Sequence, residues 1–320
     1  MINLLIGEGT PFIAFLGILF AFACTCLFTA KCSKYLPKDM GRAFAVDGKL
    51  SAGKPRGAGI IFIFVFTVAA LLFSEITLEF VIYVALVVVE MLTGYLDDAS
   101  DKPWGELKKG ILDLVVAVIG AVTYVYFNTS QITFAIFDLT VTLPPVVYVI
   151  LAVILIWASI NVTNCSDGVD GLSGTLTLVT LMSIYVISTI LKENDTFPYL
   201  ILLFAVCILG YLWYNATPSL LLMGDAGSRA MGIFIALAVM KTGSPFLYIL
   251  VALVMILDGG LGLLKVALLR TTKIHILKNV RTPLHDQARK VMGWSNTQTV
   301  FRFAIIQILI CAATVYLLML

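Results

Sequence analysis

The sequence predicts an all-α integral membrane protein: one polytopic domain over residues 1–320, with about ten transmembrane helices, both termini outside and a short extracytoplasmic β-hairpin. Three observations predict it. The chain is 60% apolar and 12% charged, a balance that a water-soluble domain of 320 residues would not tolerate. Apolar runs long enough for a hydrocarbon core of about 30 Å recur along its whole length. Lys and Arg gather on one side of those runs.

In chain order the runs are 11–29, 57–73, 78–95, 110–127, 144–160, 173–191, 198–214, 230–241, 245–269 and 299–319, of which 230–241 is short. No basic segment precedes the first ("MINLLIGEGTPF"), so it reads as a retained helix rather than a cleaved signal peptide. Between the fourth and fifth, "QITFAIFDLTVTL" alternates apolar and polar residues as a hairpin would. In the ninth, Asp258 and the glycines of "LDGGLGLLK" predict a kinked helix that opens a lipid-accessible groove. The segments 30–56, 96–109, 161–172, 215–229 and 270–302 share one side. They carry all of the 21 Lys and Arg except Lys192, Lys241 and Lys265. Positive charge in short loops stays cytoplasmic, which orients the bundle.

The six cysteines lie in or beside the runs with no CxxC pair, so they read as reduced packing residues. No internal repeat marks a transporter and no low-complexity tract occurs.

Carboxylates recur at the cytoplasmic edges. Each costs roughly 2.5–3.5 kcal/mol if forced toward lipid, so they need a task. Asp97 and Asp98 end the third run, either as a solvated helix stop beside lysines 102, 108 and 109 or as two ligand-binding groups about 100° apart on a helix. Asp101 and Glu106 read as solvated, and Glu90 as a deeper hydrogen-bonding or site residue. In "NVTNCSDGVDG", Asn161, Asn164, Asp167 and Asp170 recur every three residues and would share one face of a helical turn. In "MGDAGS", Asp225 between Gly224 and Gly227, followed by Ser228, suits a turn that holds a phosphate and its Mg²⁺. His285 precedes Asp286, a pairing that would fix a histidine tautomer, whereas His275 reads as structural. The basic residues around them suit an amphipathic surface helix.

"YLDD", "NVTNCSDGVDGL" and "MGDAGS", in that order between ten runs, resemble the polyprenyl-phosphate N-acetylhexosamine-1-phosphate transferases over essentially the whole chain. Ser166 before "DGVDGL" and Pro283 in "TPLHD" make the phospho-N-acetylmuramoyl-pentapeptide transferase branch the nearest likeness. "GKPRGAG" at 53–59 corresponds to that branch's "GTPTMGG", while its "PRGAG" is also similar to the N-acetylglucosamine-1-phosphate branch. A triple histidine is reduced here to His285-Asp286-Gln287, an expected uracil-stacking aromatic is Leu222, and an expected lysine is Asp101.

The resemblance implies a multi-pass enzyme of the bacterial inner (cytoplasmic) membrane with a cytoplasm-facing active site. It implies a UDP-sugar donor, undecaprenyl phosphate as acceptor, Mg²⁺ as cofactor, membrane lipid around it, a possible homodimer and no nucleic acid. Asp97, Asp98, Asp167 and His285 take catalytic roles; Asn161, Asn164, Asp170, Asn215, Ser228 and Lys109 bind substrate; Asp225 with Asp97 holds the metal. A diphosphate and a phosphate monoester repel, so such a site must supply cations before they meet in line. Asp98 either binds or deprotonates the acceptor, or forms a covalent aspartyl phosphate. The different class to weigh is a cation-coupled transporter, which would place its carboxylates near the bilayer midplane rather than at one edge.

Overall fold

The computed structural model describes residues 11–41, 51–100, 102, 104–191 and 196–320; Asp101 and Lys192 lie outside them. Seven described helices are each long and apolar enough to cross a membrane, and a bent pair makes an eighth, so the chain is an all-α integral membrane protein. In chain order the helices are α1 (Pro11–Cys32), α2 (Gly59–Phe73), α3 (Leu78–Asp98), α4 (Glu106–Phe127), α5 (Pro145–Cys165), α6 (Leu172–Ile190), α7 (Phe197–Asn215) and α8 (Gly224–Met240), of which α2 and α8 are shorter than the seven long ones. The bent pair is α9 (Pro245–Val251) and α10 (Leu253–Thr272), and α11 (Leu284–Lys290) and α12 (Asn296–Met319) complete the chain. At about 1.5 Å per residue, the 15-residue α2 extends only about 22 Å, short of the hydrocarbon thickness.

Local chemistry starts several of these helices. The Thr77 hydroxyl accepts the Phe80 N–H to cap α3, and Ser295 with Gln298 forms a reciprocal capping box on α12. Pro145 occupies the first turn of α5, where its missing N–H costs nothing. The predicted hairpin is present: β1 (Gln131–Phe134) pairs antiparallel with β2 (Leu139–Thr142), Gln131 opposite Thr142. It is tied to the start of α9 by the Thr133 N–H to the Gly243 carbonyl and by stacking of Phe134 on Phe246.

The centre is α8. All of its 17 residues are buried, and it packs against α2, α3, α5 and α6. Close approach is possible because Gly94 of α3 meets the Asp225 backbone and Gly232 of α8 meets Ile160 of α5, where a Cβ would overlap main-chain atoms. Small residues at helix crossings supply the packing that stabilises helices in lipid. Phe204 and Phe234 stack at 4.1 Å, with Phe66 edge-on, and join α2, α7 and α8.

Three expectations are corrected here. "MGDAGS" is not a turn preceding a helix but the first turn of α8, which starts at Gly224 rather than at 230. The ninth run bends by 73°, but at Ala252, ahead of the glycines; Asp258 then sits in a wide π-turn, Ile256–Gly260. Gln307 of α12 stitches the break. Its Oε1 accepts the Val254 N–H at 2.8 Å and its Nε2 donates to the Val251 carbonyl, replacing backbone bonds lost at the bend. Finally, no surface helix spans the basic stretch: α10 ends at Thr272, and regular structure resumes at α11. The six cysteines are free, as expected.

Candidate active site

One end of the bundle collects the end of α3, the starts of α4 and α8, the last turn of α5, the α5–α6 turn and the 51–58 loop. Asp97, the penultimate residue of α3, accepts the Trp104 N–H at 2.6 Å and meets Lys109 Nζ at 2.5 Å. The same ammonium lies 2.9 Å from Asp225 Oδ2, so Lys109 bridges the carboxylates of α3 and α8. Asp98 turns to the other side. Its Oδ1 accepts from Arg56 Nε at 2.8 Å and its Oδ2 accepts the Ala226 N–H at 3.2 Å. Gly224 makes this possible: its φ of +68° suits glycine, and any Cβ there would strike the Asp98 carboxylate.

Arg56 also reaches Asp39 at 3.3 Å and Asp225 Oδ1 at 3.7 Å. Charges therefore alternate through the cluster. The buried Asp225 carboxylate is faced by both Lys109 and Arg56, which offset the cost of burying its charge. Burial likewise works against the Arg56 guanidinium, and Asp98, Asp225 and Asp39 more than compensate.

A cleft of about 470 Å³ opens beside the cluster. Lys54, Arg56, Asn164, Asp167, Asp170, Asn215, Asp225 and Arg289 line it. Asn164 donates to the Ser228 hydroxyl at 2.9 Å, and that buried hydroxyl donates to the Gly224 carbonyl at 3.0 Å, fixing the first turn of α8 against α5. Asp170 accepts the Ser219 N–H at 3.2 Å and faces Lys54 at 3.8 Å. Asn215 accepts the Gly171 N–H and donates to the Leu221 carbonyl, both at 2.8 Å, so it braces the wall. Leu222 lines the cleft, and none of its described lining residues is aromatic.

His285 sits buried at the start of α11, over Gly168, where a Cβ would collide with the imidazole. Its partner is Asp258 of the π-turn rather than the adjacent Asp286. Asp258 accepts the His285 N–H at 2.8 Å and lies 2.9 Å from Nδ1, while Asp286 is 4.0 Å from Nε2 and instead pairs with Arg289 and Lys290. A proton on Nδ1 directed at Asp258 leaves Nε2 facing the α5–α6 turn. Asp258→Ala is expected to lower kcat by up to about 100-fold through loss of that orientation, with less effect when Asn replaces Asp258. Steady-state kinetics of the two variants check it.

The Asn/Asp ladder does not stay together. α5 ends at Cys165, so Asn161 and Asn164 lie on its last turns while Asp167 and Asp170 belong to the following turn. Asn161 points away from the cleft and donates to Asp113 at 3.2 Å. Lys54, Arg56, Asp39, Asp258 and Arg289 are residues of this region that the sequence reading did not place in the site. The basic pair inside the glycine-rich "GKPRGAG" was the available signal for two of them.

The cluster suits a hard divalent cation. Its donors are carboxylate oxygens, and Asp225 Oδ1 has a long 3.7 Å contact on the cleft side. Among the described residues, no group of three or more His, Cys, Asp or Glu is placed to hold a metal ion.

Residues 80–243, which hold the Asp97–Lys109–Asp225 cluster and the α5–α6 turn, match the model of glycosyl transferase family 4. A phospho-N-acetylmuramoyl-pentapeptide-transferase of Treponema pallidum subsp. pallidum is 42% identical over 292 residues, 86% of this chain and 80% of that protein. Proteins of the same name from Symbiobacterium thermophilum and Clostridium acetobutylicum are 30% and 27% identical, covering 79% and 81% of this chain and 78% and 83% of theirs. With a matching model over half its length and a 42% identical relative aligned over most of both sequences, the chain belongs to glycosyl transferase family 4, among the phospho-N-acetylmuramoyl-pentapeptide-transferase-like members.

Proposed function

We propose that this protein transfers phospho-MurNAc-pentapeptide from UDP-MurNAc-pentapeptide to undecaprenyl phosphate, releasing UMP and forming lipid I in peptidoglycan synthesis. The observation that carries this reading is Lys109 held between Asp97 and Asp225 at the rim of a polar cleft, in a chain 42% identical to a relative so named.

Asp225 and Asp97 would hold Mg²⁺, which would neutralise the diphosphate and so let a second phosphate approach. Lys109 and Arg56 add fixed positive charge on either side of Asp225. Asp98, held by Arg56 and the Ala226 N–H, orients the acceptor. The acceptor monoester is already anionic near pH 7 and needs no strong base. One of its oxygens attacks the β-phosphorus, the bond to the bridging oxygen breaks, and UMP leaves with that oxygen. Asn164, Asp167 and Asp170 organise the nucleotide, Asn215 and Ser228 brace the wall, and His285 contacts the sugar-phosphate or muramoyl part.

In this reading α2 and α8 join the seven long helices and the bent pair to give ten spans. Both termini lie outside, and the site faces the cytoplasm of a bacterial inner membrane, as a homodimer. The charge asymmetry of the loops supports the orientation.

The test is UMP release by detergent-purified protein with Mg²⁺ and undecaprenyl phosphate, comparing UDP-MurNAc-pentapeptide with UDP-GlcNAc. Release from the pentapeptide donor is expected. Release from UDP-GlcNAc alone would move the protein to the other branch, and no lipid-dependent release from either would overturn the proposal.

A further inference from the structure

Below the Asp97–Lys109–Asp225 layer lies a second charged layer built from the same three helices. Arg229 of α8 donates from Nε to Glu90 of α3 at 3.3 Å and from Nη2 to Asp113 of α4. Asn161 of α5 donates to the other oxygen of Asp113. Glu90 is 0% exposed, and Arg229 and Asp113 are 2% exposed. Burying three ionisable groups inside a membrane bundle is costly and calls for a specific role.

The layers are stacked along the helix axes. Asp113 is four residues deeper than Lys109 on α4, Arg229 four deeper than Asp225 on α8, and Glu90 seven deeper than Asp97 on α3. On α4 the charge is positive above and negative below; on α8 it is negative above and positive below. α3 is negative at both levels. A slip of α8 by one turn, about 5.4 Å, toward the cleft would bring Arg229 level with Lys109. A slip the other way would bring Asp225 level with Asp113 and Glu90. Either places like charges together in a medium of low dielectric, so one register alone satisfies both layers.

We propose that Glu90, Asp113 and Arg229 form a register key that holds Lys109 between Asp97 and Asp225. They are positioning residues that touch no substrate. Their part in turnover rests on the transferase reading, whereas the register itself does not, so the two are measured separately.

The decisive variant exchanges the two charges, Asp113→Arg with Arg229→Asp. It keeps a buried cation between two carboxylates, but each of α4 and α8 then carries the same sign at both levels. The key no longer distinguishes registers. A second variant, Glu90→Leu with Asp113→Leu and Arg229→Met, removes the layer altogether. Apolar replacement of a buried ionic triad commonly keeps or raises stability. Three readouts apply to both variants: Tm in detergent, acylation of Lys109 by a water-soluble amine reagent read by mass spectrometry, and kcat for UMP release.

In at least one variant, Tm is expected to stay near that of the parent while Lys109 acylation rises several-fold and kcat falls by about 100-fold. Arg229→Lys, which keeps the charge inversion, should restore most of the Lys109 protection relative to those variants. Unchanged Lys109 protection in a variant that remains folded would overturn the register key. Loss of Tm in both variants, with activity falling only in proportion to folded protein, would also overturn it by reducing the layer to a stabilising ion cluster. If the parent itself releases no UMP, the transferase reading fails while acylation still decides the register.

Discussion

Asp225→Asn is expected to reduce turnover by roughly 1,000-fold while leaving a folded helical bundle. The amide keeps the volume of the carboxyl but removes a charge that faces Lys109 at 2.9 Å, Arg56 at 3.7 Å and the cleft. Two consequences combine. The proposed cation site would lose a ligand, and the two side-chain cations lose the carboxylate they face. Circular dichroism should remain helical, because the first turn of α8 is also held by the Ser228 hydroxyl on the Gly224 carbonyl and by Asn164. UMP release across an Mg²⁺ titration checks the expectation. A variant with the parent's rate and the parent's Mg²⁺ midpoint would remove Asp225 from the metal site.

Lys109→Met is the second large effect, expected at about 100-fold to 1,000-fold in kcat, together with a lower Tm. Methionine retains the stem of the side chain but leaves Asp97 and Asp225, both buried, facing one another without the ammonium that separates them. Leaving buried charge uncompensated commonly costs about 3–5 kcal/mol. The combination is diagnostic. Adding Asp97→Asn to Lys109→Met should recover much of the Tm and none of the rate, a result that thermal unfolding and UMP release together would read. Full recovery of the rate would mean that Lys109 serves only to neutralise Asp97.

How much of this was legible in the sequence follows from the range of the interactions. Asp97, Asp98, Asn164, Asp167, Asp170 and Asp225 could be found because local motifs carry them, and the structure brings all six to one end of the bundle. Asn161 could not be placed correctly. A period of three implies a common face only while the helix continues, and α5 stops at Cys165. Arg56 and Asp258 take their meaning from partners 42 and 27 residues away, which no local pattern encodes. The bend is similar. Glycines after Asp258 suggested its position, yet it falls at Ala252, where Gln307 from α12 supplies the missing bonds. The apolar runs found the long helices well, but hydropathy could not show that α8 begins at Gly224, because its first turn is polar and belongs to the site.

The full burial of α8 bears on how the protein is made. A segment that carries Asp225 in its first turn and Arg229 one turn deeper is a poor membrane insert by itself, since an Arg at the helix centre costs roughly 2.5–3.5 kcal/mol. Its counter-charges reside on α3 and α4, both of which precede it in the chain and therefore emerge first from the ribosome. Entry of α8 into the bilayer thus amounts to entry into a pocket its predecessors have already formed. Biogenesis of this enzyme should stall at that helix when Glu90 or Asp113 is lost while Arg229 remains, before any catalytic defect is visible.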